Sequence, residues 1–317
     1  MPRSFAFTAS LIVLSVIAGY LSRRLWRDPA RTSLAINTGT LIALEPLAIA
    51  ISFWAINPGG SAAIRLPLFA TGFTTICLLG TAMIARRTGK PKGQQGSWAL
   101  CAAFSNQGAT FGTFLLFSAW GERGFVLGTL YAIYFMPMLT TVGFQVARSF
   151  GEAEKVRGWG ILTQVFRDRR SRNPVLAVLI GAALQIWGPA RPELLGKANQ
   201  FLIPLNTFLY LYAIGLTTRL AAIAHYSRAI ATIAAAKFVA LPMLAYAAGW
   251  ALGFAASPNR ELLRVVVVQN STPVAIMAVV TASIFHLDQE LANSAWIVTN
   301  FGAVALVPWL TFLSLHL

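Results

Sequence analysis

The chain has 317 residues, 56% of them hydrophobic and 11% charged, with a mean hydropathy of +0.65. That excess of apolar surface excludes a water-soluble domain and marks an all-α integral membrane protein. The formal charge of +15 does not indicate nucleic acid, because the basic residues stand in short clusters between apolar runs, where membrane topology accounts for them.

A helix needs about 20 apolar residues to cross roughly 30 Å of hydrocarbon. In chain order such windows fall at 5–21, 34–55, 65–86, 98–119, 124–147, 174–188, 198–217, 228–254, 262–285 and 291–315, predicting ten spans of which the sixth is short. The first run reads as a span and not as a cleaved leader, since Arg23, Arg24 and Arg27 follow it instead of preceding it. Loops after odd-numbered spans carry seventeen Lys and Arg and loops after even-numbered spans carry six. Because cytoplasmic loops hold the basic excess, this predicts a multi-pass protein of the cell (inner) membrane with both termini extracytoplasmic.

Two apolar segments are interrupted at matching places, "AAFSNQGATFGTFLLF" around Asn106 and "VVVVQNSTPVAIMAVV" around Asn270, with the two asparagines 164 residues apart. The same offset lays 35–53 on 199–217, 65–89 on 229–253 and 125–148 on 289–312, each of them apolar. The chain therefore reads as two five-span repeats, residues 1–149 and 174–317, joined by a basic cytoplasmic linker at 150–173. An odd number of spans per repeat makes the second inverted with respect to the first. Within the linker, "GWGILTQVFRDRR" has the composition of an interfacial helix held by anionic lipid.

Paired breaks of this kind are the best pointer in a sequence to the substrate site of a secondary transporter. Here they place Ser105, Asn106, Gln107 and Gly108 opposite Gln269, Asn270, Ser271, Thr272 and Pro273. Amide side chains both donate and accept hydrogen bonds, and freed N–H groups at a half-helix start favour a carboxylate, so the pair suits a small organic anion. The plainer alternative is that Asn and Ser hold helices together by hydrogen bonds. The register of the two clusters and the neighbouring Pro273 and Gly108 favour the site.

Glu45 is the one carboxylate in the middle of a predicted span and Lys237 the one cation, each costing about 2.5–3.5 kcal/mol to insert. Three readings follow: a mutual salt bridge, a proton-coupling carboxylate with an anion-attracting lysine, or Lys237 as a fixed charge that braces the broken helices. Pro46 follows Glu45 directly, so this carboxylate could also cap a kink. Arg264 lies six residues before Asn270, placed to attract anions or to snorkel to headgroups. Trp98, Trp120, Trp187, Trp250 and Trp309 stand near span ends as interfacial residues. His286, Asp288 and Glu290 share the last loop, where solvation is the default. Cys77 and Cys101 read as apolar packers, and His225, His286 and His316 are too scattered to pair as metal ligands. No cofactor or metal is expected.

The motifs "GYLSRRL", "FSNQGATFG", "NPVLAVLIGAAL", "KFVALPMLAY" and "LDQELANSAWIVTN", in this order along the chain, resemble the auxin efflux carrier family of membrane transporters. That family includes plant auxin carriers and bacterial relatives that move small organic anions. The resemblance implies ten helices in two inverted repeats, with helices four and nine unwinding and crossing at the bilayer midplane. It also implies a scaffold of helices one, two, six and seven, the other helices moving as an elevator, and a homodimer through the scaffold. A proline is usual in both crossing helices of the family, whereas helix four here has Gly108, Gly112 and Thr113.

The expected function is secondary active transport of a small organic anion, an auxin-like indole carboxylate or a dicarboxylate such as malonate or malate. The alternatives are a sodium-coupled symporter of bile-acid type on the same fold, or a non-transporting sensor. Neither broken segment holds the aspartates of sodium/proton exchangers, and no HExxH, GxSxG or P-loop motif suggests an enzyme.

Overall fold

The computed structural model describes residues 5–151, 169–217, 223–256 and 260–316. The protein is 83% helical, and among the described residues the only β pairing is a single antiparallel bridge, Ser105 with Val274. The helices are α1 (Phe5–Ser22), α2 (Pro29–Ala55), α3 (Gly60–Arg86), α4 (Lys92–Ala103), α5 (Gly112–Trp120) and α6 (Glu122–Phe150). They continue as α7 (Arg169–Trp187), α8 (Glu193–Thr217), α9 (Ser227–Ala251), α10 (Arg260–Asn270), α11 (Ile276–Ile284) and α12 (Gln289–His316). Helix covers every predicted apolar window. Two windows each contain two short helices, because the helix is interrupted at 104–111 and again at 271–275.

Among the described residues, six helical segments are long and apolar enough to cross a membrane, so the protein is membrane-embedded. The predicted interfacial stretch of the linker falls largely outside the described residues. Its last residues belong instead to α7, which starts at Arg169, before the predicted repeat boundary at 174.

Glycine sets the closest helix packings. A Cβ at Gly19 of α1 would lie 2.1 Å from the Tyr212 carbonyl oxygen of α8, and one at Gly215 would lie 2.2 Å from the Val16 carbonyl oxygen. At Gly181 of α7 a Cβ would stand 2.6 Å from the Ala50 carbonyl oxygen of α2. Small residues let helix backbones approach where no hydrophobic force separates protein from lipid tails.

Three helices carry π turns beside prolines: Thr40–Leu44 before Pro46, Leu139–Gly143 after Pro137 and Ala236–Ala240 before Pro242. The proline ring removes a backbone donor and leaves a carbonyl without its helical partner. In α2 the carbonyl so freed is that of Ile42, and it accepts 2.8 Å from Asn173 Nδ2 on α7. Asp288, predicted to be merely solvated, instead caps α12. Its Oδ1 accepts from the Leu291 N–H at 2.9 Å, while the Tyr226 hydroxyl donates to its carboxylate at 3.0 and 3.1 Å.

Candidate functional site

The two breaks cross and pair through their backbones. Asn106 N–H donates to the Pro273 carbonyl at 2.8 Å, and Ala275 N–H donates to the Phe104 carbonyl at 3.0 Å. A peptide group left unpaired at membrane depth costs several kcal/mol, so each break supplies what the other lacks. The fourth helix unwinds over residues 104–111 without a proline, and this is the longer of the two breaks. It is held open by its own carbonyls. Gly112 N–H donates to Asn106 O at 3.0 Å, and Thr113 donates to Gln107 O both through its N–H, at 3.1 Å, and through its hydroxyl, at 2.7 Å.

The nine residues of the two predicted clusters are brought together here, and all but Gly108 are buried. Gln107 Oε1 accepts from the Tyr134 hydroxyl at 3.0 Å. Asn106 Nδ2 donates to Asn300 Oδ1 at 3.2 Å, and Asn106 Oδ1 accepts from the Thr110 hydroxyl. Asn270 Nδ2 donates to the Tyr131 hydroxyl at 2.6 Å and to the Val266 carbonyl at 2.8 Å. Gln269 Nε2 donates to Thr113 Oγ1 and to the Gly128 carbonyl, both at 3.2 Å, whereas its Oε1 is buried without a partner. Ser271 and Thr272 turn their hydroxyls back onto the carbonyls of Val267 and Gln269, where they finish α10. Around Gly108 a Cβ would meet nothing within 4 Å, so this half-exposed position marks the open side of the crossing.

Lys237 comes into the crossing from the π turn of α9 and is fully buried. Its Nζ donates to Ser105 Oγ at 2.8 Å. Glu45 is elsewhere, its Oε2 accepting from the Tyr210 hydroxyl of α8. The reading of a Glu45–Lys237 salt bridge is therefore corrected: α2 and α9 direct the two groups to different partners. Arg264 is half-buried, and its Nε is buried without a partner.

Several residues of the site were not picked out in the sequence. Thr299 and Asn300 of α12 brace the second break, Thr299 Oγ1 accepting 3.1 Å from Val274 N–H and Asn300 Nδ2 donating 3.1 Å to the Val274 carbonyl. Thr207 of α8 donates 2.7 Å to the Ala109 carbonyl, joining the first break to α8. The adjacent polar pair Thr299–Asn300 inside an apolar run was a usable signal. Tyr131, Tyr134 and Thr207 carried none, because each reads as an ordinary residue of a span.

A narrow cleft lies beside the crossing, between Ile12, Val16 and Leu211 on one side and Phe111, Asn300 and Phe301 on the other. It brings an apolar wall up to the Asn106–Asn300 pair. No family model matches the chain. No curated protein matches it either.

Proposed function

We propose that the protein is a secondary active transporter of a small organic anion, with the crossing of the two breaks as its substrate site. The observation that carries this reading is Lys237. It is the one fully buried charged side chain among the described residues, its hydrogen bond goes to the neutral Ser105 hydroxyl, and no carboxylate there pairs with it. A buried cation without a counter-ion attracts an anion. The half-helices α5 and α11 both begin at the crossing, and their positive dipole ends add to that field. Amides of Asn106, Gln107 and Asn270 supply directional hydrogen bonds suited to a carboxylate such as that of an indole acid or malonate.

The wider architecture belongs to the same proposal. The breaks occur at equivalent places, and the glycines that seat α1 on α8 and α7 on α2, Gly19 and Gly181, are 162 residues apart, close to the 164 of the asparagines. This supports ten spans in two inverted repeats, an organisation resembling that of the auxin efflux carriers. In it α1, α2, α7 and α8 form the scaffold, and the remaining helices carry the crossing as an elevator.

Uptake and counterflow of labelled indole-acetate, malonate and malate into proteoliposomes test the function. The parent is expected to show saturable uptake of at least one of these, lost in Asn106→Ala and in Lys237→Met while both variants remain folded. Saturable uptake that survives both substitutions would remove the substrate from the crossing.

A further inference from the structure

A second polar system runs through the other half of the bundle. On α8, Asn199, Ile203, Asn206 and Tyr210 follow one another at helical spacing and share a face, and all four are buried. That face meets α2. Asn199 Nδ2 donates to Ser52 Oγ at 2.8 Å and the Tyr210 hydroxyl donates to Glu45 Oε2, so the helices run antiparallel with Asn206 between these two links. At one end of the seam Asn199 Nδ2 also reaches Glu122 Oε1 at 3.1 Å, and Arg191 Nη1 closes on Glu122 Oε2 at 2.5 Å. At the other end Asn173 satisfies the carbonyl freed by Pro46. From Ile42 to Ser52 the seam follows about 15 Å of α2, roughly half the thickness of the hydrocarbon.

Asn206 decides what fills it. The residue is completely buried, and neither its Nδ2 nor its Oδ1 has a partner; the Oδ1 of Asn199 is also unpartnered. A buried amide of this kind calls for an occupant that accepts from the N–H and donates to the carbonyl. A metal cation serves the carbonyl alone. Water serves both, and buried water characteristically bridges polar groups of this sort. The seam ends on a carboxyl group.

We propose that Glu45 is a proton-binding site, reached from the Glu122–Arg191 end through a hydrated seam between α2, α7 and α8. Uptake is a simple transfer: water passes a proton along the seam, the Glu45 carboxylate becomes a carboxylic acid, and its charge goes from −1 to 0. Release reverses each step. The groups facing Glu45 leave this exchange to the carboxyl itself. From α8 it meets the Tyr210 hydroxyl, and α8 has no charged residue between Lys197 and Thr217. From α7 there is none between Asn173 and Trp187. From α6 comes Glu122, which is held by Arg191. Arg123 of α6 pairs with Glu261 of α10, while Tyr131 and Tyr134 direct their hydroxyls to the crossing. Combined with the transporter reading, on which this last step rests, the site makes the proton the coupling ion and places it on the scaffold, apart from the substrate.

Infrared difference spectroscopy of the full chain in proteoliposomes after a pH jump tests the site without any substrate. The parent is expected to give a protonated-carboxyl C=O band that disappears in Glu45→Gln, shifts in Tyr210→Phe and persists in Glu122→Gln. Asn206→Leu, which keeps the side-chain shape, is expected to slow the appearance of the band. A band unaffected by both Glu45→Gln and Tyr210→Phe would overturn the proton site, and unchanged kinetics in Asn206→Leu would overturn the seam. A protein that shows the band but carries none of the anions refutes the transport reading alone; one that carries an anion without the band refutes the proton site alone.

Discussion

Gly112 invites the interpretation that glycine is there to let the fourth helix break, yet the structure gives it a different task. Its φ is not positive, and a Cβ added to it would lie 2.1 Å from Gln269 Oε1 and 3.0 Å from Thr272 Cγ2. Ordinary contact begins near 3.4 Å, so in Gly112→Ala the glutamine must withdraw by roughly 1.3 Å. Gln269 cannot move that far and keep its 3.2 Å bonds to Thr113 Oγ1 and the Gly128 carbonyl. Each bond contributes about 1 kcal/mol, and a buried donor left unpaired costs about 1–3 kcal/mol. Alanine recovers about 1 kcal/mol of helix propensity in α5. The expected net effect is a destabilisation of about 1–3 kcal/mol, read as a lower unfolding temperature in detergent by intrinsic tryptophan fluorescence. Shortening the partner should relieve the clash, so Gly112→Ala with Gln269→Ala is expected to be less destabilised than the sum of the single variants. A Gly112→Ala protein as stable as the parent, or strictly additive variants, would show that Gln269 does not occupy the space at position 112.

Two further outcomes follow from other parts of the structure. Gly215→Ala puts a methyl 2.2 Å from a backbone oxygen of α1, which cannot rotate away, so α1 must shift off α8; a loss of about 1–3 kcal/mol is expected in the same unfolding assay. Burial, and then the hydrogen bond to Asp288, push the Tyr226 phenol from 10.0 up to about 12. A raised folded-state value favours the protonated form, so this contribution is complete below pH 10 and is lost as the pH rises towards 12. Tyr226→Phe is expected to lower stability below pH 10 and to remove the fall that the parent shows as the pH rises towards 12.

Apolar run length and the 164-residue offset were enough to place the helices and both breaks, because lipid forces each span to declare itself in composition. What the sequence could not convey was partnership. Three readings of Glu45 and Lys237 stood open, a mutual bridge among them; a π turn in α9 carries Lys237 to Ser105, and the α2–α8 packing gives Glu45 to Tyr210. Such π turns add a residue to a helical turn and re-aim the side chains that follow, an effect no simple periodicity shows. Missing prolines in the fourth helix also said little about its unwinding. The break persists there because the opposite segment offers the peptide groups it needs, a tertiary condition beyond the reach of local propensity. Asn206 was passed over for a related reason: one amide in an apolar span gains meaning only once both its polar atoms are found buried and unpartnered.

The two segments of the crossing are joined to each other by main-chain bonds, Asn106 N–H to the Pro273 carbonyl and Ala275 N–H to the Phe104 carbonyl. Every residue except proline carries an amide hydrogen, and every residue carries a carbonyl, so this fastening places little demand on side-chain identity. The two main-chain links therefore depend on the course of the backbone and not on which side chains are displayed at 106, 107 and 270.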